Sequence, residues 1–249
     1  MSNTTLIFGI HAVASLLERQ PERVENLYIQ RGRKDARMEA LLASAEQAAV
    51  AYEYLDRKDL DEMVKGQHQG VVAQSQGSQL LRERDLELLL DELDHPPLLL
   101  ILDGVTDPHN LGACLRTADA AGVDAVIVPK DNAAGLNATA RKVACGAAEV
   151  IPFVQITNLA RTLRELQQRG IWLYGTAGEA EQEIYDVDMS GPMALIMGAE
   201  GKGLRRLTRE HCDYLIKLPM AGSVSSLNVS VATGVCLFEI GRQRRPGSL

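Results

Sequence analysis

Five continuous apolar runs from residue 98 onward constrain the fold of the chain more than any other feature. Within each run the apolar residues follow one another without polar alternation, and helix-like segments lie between some of the runs. Continuous apolar strands are typical of parallel sheets, because both faces of such sheets are covered. The pattern predicts a doubly wound α/β domain whose ligands bind at the carboxyl ends of the strands. The runs are residues 98–103, 125–129, 171–175, 193–198 and 214–219.

The chain before residue 98 divides into a small domain and a linker. Residues 1–73 alternate between strand-like and helix-like segments, which predicts a compact α/β/α domain. Residues 74–97 begin with polar loop formers and end in two prolines, so we expect a linker there, with one short helix at 85–90. The second domain is then expected to span residues 98–249. The expected strands of the small domain are 6–10, 27–29, 51–55 and 71–73, and its expected helices are 12–18 and 37–49.

Composition and charge exclude several classes of protein. The longest apolar run, residues 96–102, is far shorter than the roughly 20 residues that a membrane-spanning helix needs. The first residues lack the basic and apolar regions of a secretory signal. A net charge of −7 argues against a general nucleic-acid coat. We therefore expect a soluble, cytoplasmic protein that has no membrane partner.

The four cysteines are predicted to be small core residues. They lie 31, 67 and 24 residues apart, with no CxxC pair and no spacing typical of a zinc site. The histidines are equally dispersed, so no metal is expected. Two short basic stretches, residues 31–37 and 242–245, are either solvated charge or local contacts to nucleic acid.

The usual nucleotide and hydrolase motifs are absent. The Gly-Lys pair in GAEGKG, residues 198–203, lacks the earlier glycine and the following Ser or Thr of a phosphate-binding loop. No GxGxxG follows a strand, and no GxSxG is present. An oxidoreductase or an ordinary hydrolase is therefore poorly supported.

Three polar, glycine-rich segments each follow an apolar strand, and these are the candidate chemistry. In residues 103–122, Asn110 is placed to cap a helix and Arg116 lies about two turns further on, which could grip an anion or an RNA backbone. In residues 195–204, three glycines permit close backbone approach, and Glu200 has no evident structural task. In residues 218–234, a loop of small residues leads into a helix start rich in Ser and Asn.

Each segment also has an ordinary structural explanation. The first could be a helix cap with a surface arginine, the second a flexible turn with a solvated glutamate, and the third a capped helix start. Three such explanations rarely hold together at the ends of strands in one sheet. The joint pattern indicates a ligand site.

In order and spacing, the three segments resemble the three motifs of the SpoU-class RNA ribose methyltransferases of the SPOUT superfamily. The motifs are NLGACLRT, LIMGAEGKGL and LPMAGSVSSLNVSVATG. Near the N-terminus, GIHAV at 9–13 and HQGVVA at 68–73 resemble the small substrate-binding domain of that class. The resemblance covers essentially the whole chain.

The resemblance implies a fold, a reaction and partners. The second domain would be a trefoil-knotted α/β domain with a parallel sheet that binds S-adenosylmethionine. The first would be an RNA-binding domain similar to ribosomal proteins. The protein would form a homodimer through its C-terminal domain, with the active site at the subunit interface. It would methylate the 2′-oxygen of a guanosine in the peptidyl-transferase region of large-subunit ribosomal RNA, without a metal.

The resemblance also implies roles for individual residues. Arg116 would bind an RNA phosphate and polarise the 2′-hydroxyl, because an arginine is a poor general base. Asn110 and Glu200 would orient Arg116 and the ribose, and Asn228 would help to hold the reacting groups. The expected cofactor-binding residues are Thr176, Ala177, Gly178, Met197, Gly198, Leu218, Met220, Ser226 and Leu227. The expected RNA contacts are Arg31, Arg33, Lys34 and Arg37.

Two other functions remain open at this point. A related enzyme of the same class would act on transfer RNA, although a shorter N-terminal extension is then more usual. Alternatively, the protein would be an RNA-binding ribosome assembly factor that has lost catalysis. Methyl transfer to unmodified ribosomal RNA discriminates between these functions.

Overall fold

The computed structural model describes residues 4–76 and 80–245, which form two compact units. The first unit contains the residues up to 76 together with the segment 145–150. The second contains residues 80–144 and 151–245. The first therefore includes a short segment from the middle of the chain, which the sequence did not indicate.

The first unit is a four-stranded mixed sheet in the order β1-β4-β2-β3. Strand β4 is antiparallel to both β1 and β2, and β3 is parallel to β2. The helices α1 and α2 pack on one face of the sheet, and α3 covers part of the other. The elements are β1 (Thr4–Phe8), α1 (Ile10–Arg19), β2 (Val24–Gln30), α2 (Ala36–Gln47), β3 (Tyr52–Leu55), α3 (Arg57–Met63), β4 (Val71–Gln76) and α7 (Ala147–Val150).

The two larger helices of this unit form for identifiable local reasons. Helix α1 buries Val13, Leu16 and Leu17 on one stripe, as an amphipathic surface helix does. Helix α2 begins after Asp35, whose carboxylate accepts hydrogen bonds from the backbone N–H groups of Arg37 and Met38 at 3.2 Å. This N-cap satisfies donors that the first helical turn leaves unpaired.

The second unit contains a seven-stranded, all-parallel sheet in the order β7-β6-β5-β10-β8-β11-β9. Its elements are α4 (Glu83–Glu92), β5 (Leu98–Asp103), α5 (Pro108–Ala120), β6 (Ala125–Pro129), α6 (Ala138–Ala144), β7 (Phe153–Ile156), α8 (Leu159–Gln168), β8 (Trp172–Thr176), β9 (Gln182–Glu183), β10 (Met193–Gly198), α9 (Arg206–His211), β11 (Tyr214–Lys217) and α10 (Val229–Gln243).

This sheet confirms the predicted parallel α/β fold. Every residue of β5 and β6 is buried, as both-sided coverage requires. Strands β5 and β10 pair in register, so that Asp103 lies beside Gly198 at their carboxyl ends. Two of the three polar segments therefore begin at neighbouring points on one edge of the sheet. The predicted trefoil knot stays a prediction, because strand order and pairing do not establish it.

The structure differs from the sequence prediction in the connecting region. Strand β4 continues through Gln76, and the second unit begins at Leu80, so the connection is shorter than the expected linker at 74–97. Leu81 exchanges backbone hydrogen bonds with the β7 strand, and Leu86 of α4 is buried in the core of the second unit. Charged residues around these leucines conceal the packing in the sequence.

The cysteines divide by environment. Cys114 and Cys236 are buried, as predicted, and burial raises the pKa of Cys114 to about 11 and that of Cys236 to about 12. Cys212 is half-buried, whereas Cys145 is exposed, which corrects its assignment to the core. Cys145 has a positive φ of 52° and lies between two helices, where the chain turns.

Candidate functional site

A loop after β10 separates two neighbouring cavities at the carboxyl ends of the parallel strands. Residues 199–204 of this loop line both cavities, except that Gly201 lines only the first. Ligands of doubly wound α/β proteins bind at this edge of the sheet, where the chain leaves each strand. The two cavities are therefore the candidate functional site.

The loop owes its shape to its glycines. At Gly198 a Cβ atom would lie 2.2 Å from the carbonyl carbon of Gly203, so only glycine lets the two backbone segments touch. Gly201 and Gly203 have positive φ angles of 74° and 65°, which favour glycine. Ala199 and Gly203 exchange backbone hydrogen bonds at 3.0 and 2.8 Å. At Gly198, the close approach expected from the sequence is to the loop's own backbone.

The first cavity has a volume of about 400 Å³ and lies over the ends of β8, β10 and β11. All nine side chains or glycines expected to bind the cofactor are part of its wall, from Thr176 in β8 to Leu227 before α10. Its volume is within the range of small-molecule sites, and its wall combines backbone groups with apolar side chains such as Leu218 and Met220. These residues fit S-adenosylmethionine, although their assignment stays a prediction.

Charged residues that the sequence did not single out complete the first cavity. Glu179, Arg209 and Lys217 are part of its wall, and the Arg209 guanidinium donates a hydrogen bond to the Glu179 carboxylate. Hydrogen bonds from the Glu179 backbone N–H and from Arg209 hold the pKa of the Glu179 carboxyl below its ordinary value. Glu179 directly follows the predicted run 176–178, a position that could have indicated its role.

The second cavity, of about 540 Å³, lies between the end of β5 and the start of α5. Its wall contains Asn110 and Glu200, together with the charged residues Asp103, Lys202 and Arg205. Glu200 is thus shared by both cavities. A group bound in either cavity therefore lies beside the same residue.

Three of the four predicted catalytic residues form one chain of hydrogen bonds. The Asn110 side-chain amide donates to the Glu200 carboxylate at 3.2 Å, and the Asn228 amide donates to Asn110 Oδ1 at 2.9 Å. Because an ionised carboxylate only accepts hydrogen bonds, Glu200 fixes the orientation of Asn110, which in turn fixes Asn228. Asn228 Oδ1 is then directed at the backbone N–H of Ser230, 3.0 Å away, and caps α10.

The structure corrects the expected role of Asn110 as a helix cap. Helix α5 begins at Pro108, and its N-cap is Asp107, which accepts a hydrogen bond from the His109 N–H at 2.9 Å. Asn110 lies within the first turn, so its amide is available for Glu200 and Asn228. A Pro at the first helical position, with Asp before it, is the signal that could have placed this boundary.

Arg116 lies further along α5 than Asn110. It is exposed on α5, six residues and therefore about 9 Å along the helix axis from Asn110. Among the residues described by the structure, the walls of the two cavities do not include Arg116. The Asn110 amide is used on Glu200 and Asn228, and the expected orientation of Arg116 by Asn110 and Glu200 stays a prediction.

The four basic residues predicted to contact RNA lie at the end of β2 and the start of α2 in the first unit. Lys34 and Arg37 are exposed. Arg31 is exposed and pairs with Asp56 at 3.5 Å. Arg33 is half-buried, and its guanidinium binds Asp35 at 2.6 Å and the Gln69 carbonyl. Arg33 thus holds the local backbone together, which its sequence context did not reveal.

The described residues were also compared with what a metal site and a membrane-spanning helix require: neither is formed within them. Within residues 4–76 and 80–245, no group of three or more His, Cys, Asp or Glu side chains is arranged to hold a metal ion. No helix in the same ranges is long and apolar enough to cross a lipid bilayer.

The fold and the adjoining cavities define an α/β protein that can hold two ligands, one on each side of a loop. Residues 97–238 match the SpoU rRNA Methylase family, and residues 6–81 match the family described as RNA 2'-O ribose methyltransferase substrate binding. The chain belongs to the SpoU rRNA Methylase family.

Similar proteins cover nearly the whole chain. It is 64% identical to the 23S rRNA (guanosine-2'-O-)-methyltransferase RlmB of Pseudomonas putida over 98% of this chain and 99% of that protein. The protein of the same name from Pseudomonas aeruginosa is 63% identical, over 99% of each chain. Among solved structures, the SpoU methyltransferase AviRb from Streptomyces viridochromogenes, in complex with AdoMet, has a TM-score of 0.72 and 26% identity, over 97% of this chain and 91% of that one.

Proposed function

We propose that the protein transfers a methyl group from S-adenosylmethionine to the 2′-oxygen of a guanosine ribose in large-subunit ribosomal RNA. The names of the full-length relatives support the substrate, and the AdoMet-bound structural neighbour supports the donor. The observation that carries the proposal is the position of Glu200 on the wall shared by two cavities. A donor in the first cavity and a ribose in the second would meet at this carboxylate.

On the donor side, the protein has to bind S-adenosylmethionine and orient its methyl group toward the acceptor. When bound, S-adenosylmethionine supplies a methyl group that the positive charge on its sulfur has already activated. The apolar side chains of Leu218 and Leu227 offer surface for a purine ring, and the carboxylate of Glu179 complements an ammonium group. These residues hold the donor; the loop at 198–203 sets the position of the reacting end.

On the acceptor side, the difficulty is a hydroxyl that is barely ionised at neutral pH. Glu200 accepts from Asn110 through Oε2, and its remaining acceptor capacity can hold the ribose 2′-O–H. Asn228, which is fixed at the start of α10, keeps Asn110 in place. Arg116 would bind the adjacent RNA phosphate and stabilise the developing alkoxide, with a phosphate or a water taking the proton.

The proposal includes a homodimer that forms through the C-terminal domain. Helix α10 packs against α5 and presents exposed apolar side chains at Val231, Val235 and Phe238, spaced so that they share one face. Phe238 is 54% exposed, which is unusual for so large an apolar side chain. A second copy covering this face would form an interface near the site, and Arg116 of each protomer would serve the site of its partner.

The first unit would bind the RNA outside the site. Arg31, Lys34 and Arg37 present exposed positive charge at one end of the sheet and can contact phosphates. Arg33 would contribute less to this surface, because its guanidinium also binds Asp35 and the Gln69 carbonyl. The proposal includes this contact surface and the peptidyl-transferase region as the target. It also includes a trefoil knot in the second unit and a cytoplasmic location.

The test is transfer of a radiolabelled methyl group from S-adenosylmethionine to unmodified large-subunit RNA, followed by mapping of the label. We expect label on the ribose of one guanosine. A parallel reaction with transfer RNA tests the related enzyme class. Label on transfer RNA alone would contradict the substrate. If the donor bound but no RNA in either pool, nor a ribosomal precursor particle, accepted the label, the catalytically inactive binding protein would replace the proposal.

A further inference from the structure

Asp103 and Arg205 form an ion pair that the proposed mechanism does not use. Asp103 is the last residue of β5 and is fully buried. Its Oδ1 accepts from Arg205 Nε and Nη2, both at 2.5 Å, and its Oδ2 accepts from the Arg205 backbone N–H at 3.1 Å. A buried carboxylate is costly unless it is paired and hydrogen-bonded, and Arg205 satisfies both needs.

The geometry of this pair leaves one edge of the guanidinium for a ligand. The side edge of Arg205, formed by Nε and Nη2, is occupied by Asp103. The end edge, formed by Nη1 and the second N–H of Nη2, presents two parallel donors that Asp103 does not use. The Arg205 side chain is 47% exposed and is part of the wall of the second cavity, which also contains Asn110 and Glu200.

Such an edge matches two chemical partners, and the charge balance distinguishes them. A phosphate and the O6/N7 edge of guanine both accept two parallel N–H donors. Asp103 neutralises Arg205, and the acidic Asp107 and Glu200 outweigh Lys202 elsewhere on the wall, so its charged residues carry a net negative charge. A cavity with no net positive charge favours an uncharged base over a phosphate. Because Asp103 holds the guanidinium in place, little side-chain entropy is lost on binding.

We propose that Arg205 reads the target base, donating from its end edge to O6 and N7 of guanine in the second cavity. Asp103 is then the positioning residue that fixes Arg205. This inference rests on the proposed function, in which the acceptor is a guanosine. It assigns the selection of guanine to a side chain outside the Asn228–Asn110–Glu200 chain of hydrogen bonds.

The test measures equilibrium binding of an RNA fragment that carries either guanosine or 7-deazaguanosine at the mapped target position. Loss of N7 should weaken binding by the wild-type protein about tenfold, because it removes half of a bidentate contact. The double variant Asp103→Asn with Arg205→Gln keeps a neutral, hydrogen-bonding pair and should not distinguish the two fragments. Arg205→Lys, which keeps a cation beside Asp103, should also lose the distinction.

Arg206→Gln is the matched control, because Arg206 is adjacent, 82% exposed and pairs with Glu210 along α9. This variant should distinguish the two fragments as the wild type does. Cofactor affinity, measured by calorimetry, should be unchanged in every variant. Lost cofactor binding in both Arg205 variants would make the pair a scaffold for the loop and overturn the assignment.

Two further outcomes would also overturn it. Retention of the tenfold distinction by the Arg205 variants would exclude a base contact. The double variant could still distinguish the two fragments while its slope of log affinity against log salt became smaller in magnitude by about 0.7. That result would indicate that Arg205 contacts a phosphate instead of the base. Methyl transfer to the guanosine fragment is followed separately, so that its absence in the wild type would count against the proposed function while binding still reports on Arg205.

Discussion

At the end of β10, the absence of a side chain at Gly198 determines the shape of the loop that separates the cavities. Its Cα packs against the backbone of Gly203 and Leu204, which closes the loop and presents Glu200 to both cavities. The position of one carboxylate therefore depends on a backbone contact two residues away. Glycines in such a motif act through the loop's own geometry as well as through the ligand.

Replacing Gly198 with Ala should lower the affinity for S-adenosylmethionine at least about tenfold, because a Cβ placed 2.2 Å from the Gly203 carbonyl carbon has to displace the loop. Titration calorimetry measures the effect. Gly191→Ala is the control, since nothing lies within 4 Å of a Cβ at that position. Wild-type affinity in Gly198→Ala would show that the loop tolerates the displacement.

Among the elements, α10 connects the candidate site to the opposite end of the strands, where β5 and β10 begin. It begins at the cap residue Asn228 and ends at Arg244, whose guanidinium donates to the carbonyls of Pro96 at 3.1 Å and Pro97 at 3.0 Å, and to that of Gly191. These carbonyls lie just before β5 and β10. One helix thus joins the starts of the two central strands to the residues at their ends.

We expect Arg244→Ala to lower the free energy of unfolding by about 2 kcal/mol, because a charged donor to several carbonyls is lost. The corresponding fall in Tm is about 4–8 °C, measured by calorimetry or circular dichroism. Arg242→Ala on the same helix removes a 54% exposed partner of Glu239 and should change the unfolding free energy by less than about 0.5 kcal/mol. Equal effects of the two variants would contradict a stabilising role for the hydrogen bonds of Arg244.

The sequence predicts those elements that consist of consecutive apolar residues, because such runs are buried. Strands β5, β6 and β10 are such elements. It does not predict β9, which is Gln182–Glu183, nor the charged α3, in which only Leu60 is buried. These short polar elements are held by their neighbours in the fold rather than by their own pattern.

In the candidate site, too, the parts that lie close together in the sequence could be predicted, and the contacts between distant residues could not. The first cavity is lined by residues of the second and third motifs and by residues 176–178, so much of its wall could be expected from the sequence. The pairing of Asp103 with Arg205 joins residues 102 positions apart, which only the folded sheet brings together. The sequence analysis places the cap of α5 at Asn110, whereas Asp107, three residues earlier, is the cap. The Asp107-Pro108 pair is the signal for this boundary.

At the scale of the whole molecule, the exposed face of α10 leads us to expect a dimer. Phe238→Asp should convert the protein to a monomer in sedimentation experiments, because a charge would be buried in an apolar interface. Leu207→Asp is the matched control, as Leu207 is equally exposed, at 54%, but lies on α9. A dimer that survives Phe238→Asp would exclude this face as the interface.

Mixed dimers show whether Arg116 acts across the interface. Arg116→Ala and Glu200→Ala proteins should each be inactive, whereas after random mixing about a quarter of wild-type activity should return, because half of the dimers then hold one site with both residues. Methyl transfer before and after mixing measures this. If no activity returns while mixed dimers are shown to form, Arg116 acts within its own protomer.

The central claim is that Glu200, fixed by Asn110 and Asn228, acts on the acceptor ribose at the wall between two cavities. Single-turnover methyl transfer by Glu200→Gln, measured alongside its affinity for S-adenosylmethionine, tests this most directly. The account predicts a rate that is lower by at least about a hundredfold with an affinity unchanged within about threefold. A near-wild-type rate, or a loss explained entirely by weaker donor binding, would contradict it.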